Sequence, residues 1–254
     1  MASLSGLGAI VLGAAGKDNL GQAIARRFAR DGARVLVAGR DPDELKALAE
    51  EIGGIFAVVD ATKAEDLARL TDRALEAFGR LDIGVNATGR NLVRPILETS
   101  PAELRDIAEI QFVAPFMFLQ TLARAMSNGG ALIHLSSVTA RIMMRHHAAY
   151  MGTKAAMEHV VRAFAFELGP RGIRVNAVAP ALTRSPMTED IMADPAFAAF
   201  RAATFPMRRL GTPEDLAAAV AWLCDPECFV TGEALQVNGG ASLLALPEWP
   251  GPTK

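Results

Sequence analysis

Short apolar runs of strand length alternate with longer amphipathic segments along most of this chain. The runs typical of buried strands are Ala9–Leu12, Arg34–Ala38, Ile55–Val59, Ile83–Asn86, Ala131–Leu135, Arg174–Val178 and Ala234–Val237. Segments with helical period begin near Leu20 and continue at Glu65–Phe78, Pro101–Met126, Ala149–Leu168 and Pro213–Leu223. Because each helix must carry the chain back across the sheet, we predict an α/β fold with a doubly wound parallel sheet of about seven strands. Ligands are then expected at the carboxyl ends of the strands.

The bulk composition fits a single domain that binds a small molecule. The 254 residues are 51% hydrophobic, which is enough for one large core, and no linker or repeat divides residues 1–254. The net charge of -2, without long blocks of one sign, argues against a nucleic-acid partner. No apolar stretch reaches membrane-spanning length, and the first residues lack the pattern of a secretion signal. We therefore expect a cytoplasmic protein with a small-molecule substrate and no membrane partner.

Metal-binding chemistry is not expected. The only two cysteines, Cys224 and Cys228, are four residues apart without a nearby histidine, which favours a reduced intracellular pair over a metal site. His146 and His147 precede the segment with the strongest catalytic pattern. They are either substrate contacts or an exposed pair in a loop.

A glycine-rich stretch follows the first predicted strand and opens the first predicted helix. Its glycines are Gly13, Gly16 and Gly21, a spacing that differs from G-x-G-x-x-G. Gly13 allows a sharp turn, Gly21 allows the helix to start close to the sheet, and the free amides of that helix can face a pyrophosphate. The strand-helix setting favours a dinucleotide loop over a plain turn.

The end of the second strand indicates which dinucleotide is bound. An NAD site places a carboxylate there for the ribose hydroxyls, but this chain has Gly39 followed by Arg40. Arg40 can hold a 2′-phosphate with two hydrogen bonds, and Lys17 adds a second positive charge. We predict NADP(H) as the favoured cofactor, with NAD(H) possible. The alternative is that Arg40 is a solvated loop residue and Asp41 a helix cap before Pro42.

Tyr150 and Lys154 are the strongest candidates for acid-base chemistry. They are four residues apart, so on a helix they share one face, and Tyr150 is the only tyrosine in the chain. A neighbouring ammonium favours the phenolate, so we expect the pKa of Tyr150 to be lowered toward neutrality. The phenol could then exchange a proton with a substrate oxygen. Taken alone, such a pair is more often found on a protein surface.

The ordered set of motifs resembles the short-chain dehydrogenase/reductase family, from Gly6 to about Ala241. The matching stretches are the glycine loop, Asp60-Ala-Thr62, Asn86-Ala-Thr-Gly89, Ser137 thirteen residues before Tyr150, Tyr150-x-x-x-Lys154, Arg174-Val-Asn-Ala-Val-Ala-Pro180, Arg209-Leu-Gly-Thr-Pro-Glu-Asp215, and Thr231-Gly-x-x-x-x-Val-Asn-Gly-Gly240. The resemblance implies a single-domain Rossmann fold and hydride transfer between a nicotinamide and a carbonyl or alcohol. It also implies a homotetramer or homodimer.

The resemblance assigns roles residue by residue. Tyr150 is the implied general acid/base, Lys154 binds the nicotinamide ribose and lowers the pKa of the tyrosine, and Ser137 hydrogen-bonds the substrate oxygen. Asp60 is expected at the adenine and Asn86 on the adenosine side. The full set of implied cofactor-binding residues is Gly13, Lys17, Asn19, Leu20, Gly21, Arg40, Asp60, Ala61, Asn86, Tyr150, Lys154, Pro180, Thr183 and Ser185.

Four positions depart from the family pattern. The usual Asn-Asn-Ala-Gly is Asn86-Ala-Thr-Gly89, the usual Pro-Gly with a later threonine is Pro180-Ala181 with Ser185, and the usual Val-Asp-Gly-Gly is Val237-Asn-Gly-Gly240. The helix asparagine that supports a water in the proton relay aligns with Gln111. Our hypothesis is that Gln111 keeps this catalytic role with a shifted water, and the alternative is a merely polar helix residue.

The glycine loop resembles that of enoyl-acyl-carrier-protein reductases, because Gly13 and Gly21 are eight apart where the common loop has six. In that loop Asn19 and Leu20 are expected to lie against the cofactor. The Ser137, Tyr150 and Lys154 set instead favours ketone/secondary alcohol chemistry. Reduction of C=C bonds and dinucleotide binding without turnover remain the alternatives.

Three segments are expected to line the substrate: Arg90–Pro95, Thr139–His147 and a lid at about residues 183–206. The apolar candidates are Ile142, Met143, Met144, Met187, Met192, Phe197 and Phe200. Flexible apolar side chains suit a hydrophobic ketone or alcohol, although they could equally pack the lid onto the body. Arg141 and Arg145 could recognise an acidic substrate or be solvated.

Overall fold

Seven parallel strands form one sheet in the computed structural model, which describes residues 3–185 and 188–243. The strands are β1 Gly8–Leu12, β2 Arg34–Gly39, β3 Ile55–Val58, β4 Ile83–Asn86, β5 Gly130–Leu135, β6 Ile173–Pro180 and β7 Ala234–Val237. Their order is β3-β2-β1-β4-β5-β6-β7, and every neighbouring pair is parallel. The predicted doubly wound, Rossmann-like sheet is therefore confirmed.

Helices cover both faces of this sheet. They are α1 Leu20–Arg30, α2 Pro42–Ile52, α3 Ala64–Phe78, α4 Pro101–Ala108, α5 Ala114–Ala125, α6 Ala148–Leu168, α7 Glu189–Met192, α8 Pro195–Thr204 and α9 Pro213–Cys224. Alternate strand residues point to opposite faces, so Ala9 and Val11 join a core with α1, α2 and α9, while Ile10 and Leu12 join a core with α3, α5 and α6. No helix within the described residues is long and apolar enough to cross a membrane.

Two helical segments differ from the prediction. Helix α2 is absent from the predicted periodic segments, although the alternative for Asp41 was a helix cap before Pro42, because only Leu45, Leu48 and Ala49 are buried on an otherwise charged segment. The predicted continuous helix over residues 101–126 contains a π-helical turn at Glu109–Val113. Pro115 has no backbone N–H to donate to the carbonyl of Gln111, which accounts for the loss of regular α-helical bonding there.

The strand order reverses between β1 and β4, because α1 leads from β1 to β2 on one side and β4 lies on the other. The chain therefore leaves β1 and β4 toward opposite ends of the sheet, and the carboxyl edge beside such a switch point is where ligands bind in open α/β sheets. The predicted lid region contains α7 and α8, with Phe200 well exposed. Met187 lies outside the described residues.

Candidate active site

The glycine loop after β1 packs directly on the turn after β4. Gly13 has φ +98°, and a β-carbon there would lie 2.6 Å from the carbonyl carbon of Ala87. Only glycine fits this approach, and it places the start of α1 at the crevice. The amides of Leu20 and Gly21, in the first turn of α1, have no acceptor inside the helix and are suited to a pyrophosphate.

Asn19 shapes this loop with both ends of its side chain. Its Oδ1 accepts from the backbone N–H of Gln22 at 2.9 Å as the N-cap of α1, and its Nδ2 donates to the carbonyl oxygen of Gly13 at 2.9 Å. The amide is therefore engaged within the loop, and its contribution to a cofactor would come through the backbone that it fixes. Lys17 lies exposed in the same loop.

The end of β2 offers a cation where an NAD site would have an acid. Gly39 is buried against the loop, and Arg40 is exposed beside it. Asp41 caps α2 by accepting from the N–H of Asp43 at 3.0 Å, as one reading of the sequence expected. Hydrogen bonds from Thr62 hold the pKa of Asp60 below its usual value, and the charge of Arg40 acts in the same direction. Arg40 and Asp60 thus lie near enough for their charges to interact, and Ala61 next to Asp60 is buried.

Asn86 is fully buried and anchors the turn after β4. Its Oδ1 accepts from the backbone N–H of Thr88 at 3.0 Å and from the Thr88 hydroxyl at 2.7 Å. Its Nδ2 lies 3.3 Å from Nδ1 of His134 on the neighbouring strand. Burial lowers the pKa of His134 well below its usual value, so the imidazole is neutral. The sequence prediction missed His134, which nevertheless occupies the partner position to Asn86 in the sheet.

Ser137 lies just beyond β5 with its hydroxyl held in place. Its Oγ accepts from the backbone N–H of Thr139 at 3.2 Å and from the Thr139 hydroxyl at 2.9 Å. A hydroxyl that accepts in this way keeps its own proton, which it can donate to another oxygen. The local turn therefore prepares Ser137 as a donor.

Tyr150 and Lys154 lie in the first turns of α6, as their spacing predicted. The Lys154 ammonium donates to the carbonyl oxygen of Leu135 at 2.7 Å and lies 5.9 Å from the centroid of the Tyr150 ring. Burial lowers the pKa of Lys154 to about 8. Burial also raises the pKa of Tyr150, and only an interaction with Ser137 opposes that rise. The expectation of a lowered tyrosine pKa is therefore wrong, because desolvation of the phenolate outweighs the interaction with Ser137, and Lys154, with a pKa of about 8, is already neutral at the pH where the phenol titrates.

Gln111 is fully buried in the π-helical turn and faces the same region. Its Nε2 donates to the carbonyl oxygen of Arg90 at 3.1 Å, while its buried Oε1 has no hydrogen-bond partner among the described residues. A β-carbon at Gly89 would lie 3.0 Å from this Oε1 and 3.8 Å from the Lys154 ammonium. The amide oxygen and the ammonium therefore approach the same side of Gly89.

The end of β6 brings the remaining predicted cofactor residues to the same edge of the sheet. Pro180 ends the strand, and Thr183 forms a bridge with Gly211. The Thr188 hydroxyl donates to the carbonyl oxygen of Thr183 at 2.7 Å and accepts from the backbone N–H of Ser185 at 3.1 Å. These bonds give Thr183 and Ser185 a defined turn beside the strand end.

The two predicted substrate segments before α6 are joined to each other. The backbone N–H of Arg94 donates to the carbonyl oxygen of His146 at 2.7 Å, and Nδ2 of Asn91 lies 3.3 Å from Nε2 of His147. The His147 ring lies edge-on to Tyr150 with centroids 6.4 Å apart. His147 is thus a contact of the candidate acid, whereas His146 is exposed.

The arginines of these segments differ in their surroundings. Arg90 pairs with Asp106 and Arg94 with Glu103, so neither charge is fully available to a substrate. Arg145 is exposed. Nε of Arg141 lies 3.7 Å from Oε2 of Glu158, a largely buried residue of α6 that the sequence prediction did not include. Its place four residues after Lys154 on the same helix is the signal that could have identified it.

The residues present fit a nicotinamide dinucleotide. The close packing at Gly13 leaves backbone amides, rather than side chains, at the start of α1, and the buried Gln111 oxygen lies next to the Lys154 region. The glycine loop, Arg40, Asp60, Asn86, Ser137 and Pro180 lie at the carboxyl ends of β1 to β6 in turn, and Lys154 of α6 reaches the end of β5. This arrangement can hold a dinucleotide along the crevice with a proton donor at one end.

Comparisons with known proteins agree with this geometry. The sequence profile of a family described as enoyl-(acyl carrier protein) reductase matches residues 13–242. An uncharacterised oxidoreductase of Mycobacterium tuberculosis is 37% identical over 243 residues, covering 91% of this chain and 92% of that protein. The 3beta-hydroxysteroid dehydrogenase 1 of Eggerthella lenta is 36% identical over 253 residues, covering 94% and 95%. The crystal structure of a dehydrogenase/reductase from Sinorhizobium meliloti 1021 superimposes with a TM-score of 0.86 at 33% identity, covering 95% and 97%.

Proposed function

Because the chain belongs to the short-chain dehydrogenase/reductase family of NAD(P)-dependent oxidoreductases, we propose that it interconverts a ketone and a secondary alcohol with Tyr150 as general acid/base. The observation that carries the proposal is the convergence of Ser137, Tyr150 and Lys154. Ser137 has a hydroxyl free to donate, Tyr150 lies on the next helix, and the Lys154 ammonium is buried beside its ring.

Ser137, Tyr150 and Lys154 have different roles in the proposed reduction of a carbonyl group. The bound nicotinamide would supply or accept the hydride. Ser137 holds the substrate oxygen through its hydroxyl proton, and Tyr150 donates its proton to that oxygen during reduction. A raised pKa keeps Tyr150 protonated at neutral pH, which suits the direction of reduction. Lys154 holds the cofactor ribose and offers the positive charge that stabilises the phenolate after proton transfer.

NADP(H) is the proposed cofactor in preference to NAD(H). Arg40 is the exposed cation at the end of β2, and a guanidinium can bind a 2′-phosphate with two hydrogen bonds. Lys17 in the glycine loop adds charge of the same sign. The absence of an acid at Gly39 removes the ribose-binding carboxylate that NAD sites use.

The proposed substrate is hydrophobic. Met143 and Met144 near the site, and Phe197 and Phe200 on α8, are exposed apolar side chains on the segments expected to line the substrate. Exposed methionines adapt to ligands of varied shape. The relative from Eggerthella lenta is named 3beta-hydroxysteroid dehydrogenase 1, and this name supports a hydrophobic alcohol or ketone.

Reduction of a C=C bond is the second candidate, because the matching family profile carries that description and the glycine loop has the longer form. The position of Ser137 favours the carbonyl. A serine donor beside the tyrosine serves an oxygen that becomes an alcohol. A crotonyl thioester reduced faster than any ketone would favour the second candidate.

A homotetramer or homodimer is proposed from the outer surface of α5 and α6. Phe116 and Phe164 pack edge to face between these helices at 4.9 Å, and Phe166 is 87% exposed on the same helix pair. Apolar exposure of this kind favours burial against a second copy. Light scattering of the purified protein measures the state directly.

The function is tested by assaying hydrophobic and polar ketones and secondary alcohols with NADPH, NADH and their oxidised forms. The expected result is turnover in the wild type and loss of at least 100-fold in Tyr150→Phe, with NADPH affinity retained. Unchanged turnover in Tyr150→Phe would exclude the proposed mechanism. Cofactor binding without turnover of any substrate would favour a regulator.

A further inference from the structure

Glu158 is a largely buried acidic residue on the helix that carries Tyr150 and Lys154. It lies one turn beyond Lys154 and two turns beyond Tyr150, and its side chain is 12% exposed. Carboxylates are rarely buried unless they are paired, because removing the charge from water is costly. The residues that contact the Glu158 carboxylate therefore indicate the role of this side chain.

The two carboxylate oxygens of Glu158 interact with one residue before Ser137 and one residue after it. Oε1 accepts from the hydroxyl of Ser136 at 2.8 Å, and Oε2 lies 3.7 Å from Nε of Arg141. Ser136 immediately precedes Ser137, and Arg141 closes the short turn that follows it. One side chain of α6 thus fixes this turn at both ends.

Three consecutive residues at the end of β5 meet three turns of α6. The carbonyl oxygen of Leu135 accepts from Lys154, the hydroxyl of Ser136 donates to Glu158, and Ser137 interacts with Tyr150. The contacts of Leu135 and Ser136 with α6 therefore fix the path of the backbone that leads into Ser137. A change at Ser136 would be transmitted to Ser137 through a single peptide unit.

A stabilising role accounts poorly for Glu158, since its ion pair with the half-exposed Arg141 at 3.7 Å contributes little to stability. We propose that Glu158 is a positioning residue, which holds the Ser137 hydroxyl against the Tyr150 phenol. The catalytic consequence rests on the proposed function, whereas the effect on Tyr150 itself does not.

The phenol of Tyr150 reports this geometry directly. Ser137 lowers the pKa of Tyr150, so displacement of Ser137 should raise it. The other polar groups facing the ring are Lys154 from α6 and His147 from the segment before it, and neither contacts Glu158 in the structure. Tyr150 is the only tyrosine, so the ultraviolet absorbance of phenolate measures this residue alone.

The experiment titrates the phenolate of the ligand-free wild type and of Glu158→Ala, Glu158→Gln, Ser137→Ala and Glu158→Ala/Ser137→Ala. Glu167→Ala is the matched control, an exposed glutamate on the same helix. We expect the midpoint to rise by about half to one pH unit in Glu158→Ala and in Ser137→Ala. The double variant should titrate like Ser137→Ala, Glu158→Gln should shift less because its amide oxygen still accepts from Ser136, and the control should match the wild type.

Kinetics with the best ketone provide the second readout. Glu158→Ala should lower kcat roughly tenfold while NADPH affinity stays within about twofold, because only the serine-tyrosine geometry is disturbed. Restoration of most of this loss in Glu158→Gln separates positioning from a general loss of charge. Circular dichroism at each pH confirms that the compared variants are folded.

A wild-type phenolate midpoint in folded Glu158→Ala would overturn the proposal, as would a double variant whose shift is the sum of the two singles. If Glu158→Ala does not fold, Ser136→Ala decides the question by the same titration, because it removes the hydrogen bond to Glu158. An unchanged midpoint in folded Ser136→Ala contradicts the proposal. If the wild type reduces no carbonyl compound, the proposed function fails, and the titration still decides the role of Glu158.

Discussion

The methyl group of Ala15 occupies the space that a side chain at Gly39 would need. A β-carbon built at Gly39 would lie 2.5 Å from the β-carbon of Ala15, so the glycine loop and the end of β2 are in direct contact. An aspartate at Gly39 would have to displace the loop before it could reach a ribose. The proposed preference for NADP(H) over NAD(H) would therefore have a steric component besides the charge of Arg40.

Gly39→Asp is expected to weaken both NADPH and NADH, since the new side chain displaces the phosphate loop as well as repelling a 2′-phosphate. Ala15→Gly/Gly39→Asp should recover NADH binding by about tenfold over the single variant, because the methyl group that blocks the acid is gone. Fluorescence titration of each reduced cofactor measures the four affinities. Equal NADH affinities in the single and double variants would contradict the steric coupling.

Arg40→Ala should weaken NADPH by roughly 10- to 100-fold and leave NADH within twofold, because the lost hydrogen bonds reach only the 2′-phosphate. Arg30→Ala, at the far end of α1, is the control for loss of one positive charge. Isothermal titration with both cofactors gives the ratio. An equal loss for NADPH and NADH would show that Arg40 does not select between them.

Gln111→Asn and Gln111→Ala test the proton relay. We expect Gln111→Asn to keep the pH dependence of kcat, since it retains an amide, and Gln111→Ala to lower kcat about tenfold with a displaced profile. The buried oxygen next to the Lys154 region is the physical reason. Profiles like that of the wild type in both variants would remove Gln111 from the mechanism.

Lys154 should impose a pH dependence on stability. Its pKa is about 8 in the folded protein against 10.5 for the free side chain, so the unfolded chain binds more protons between these values. The destabilisation is complete below pH 8, and the free energy of unfolding should rise with pH above it, by at most about 3 kcal/mol. Urea unfolding from pH 7 to 10 measures this slope. Lys154→Met should lack it, whereas Lys46→Met, at an exposed position, should keep it.

The spacing of apolar residues along the sequence was enough to predict most strands and helices of the fold. Period-2 and apolar runs placed all seven strands within one or two residues at most ends, and the helical period of residues 149–168 put Tyr150 and Lys154 on one face. Helix α2 was not detected from the periodicity because it buries only three residues. The π-helical turn around Gln111 was not detected because the missing N–H of Pro115 does not change the pattern of hydrophobic residues.

Contacts between distant segments depended on the tertiary structure. Ala15 with Gly39, Asn86 with His134, and Ser136 with Glu158 are separated by 22 to 48 residues and meet only when strands and helices pack. The pKa of Tyr150 also depended on the tertiary structure. The sequence shows that an ammonium is near, but the depth of burial, which raises the pKa of the phenol, is a property of the packed molecule. Sequence periodicity determined which residues share a face, and packing determined which faces meet and how much water they exclude.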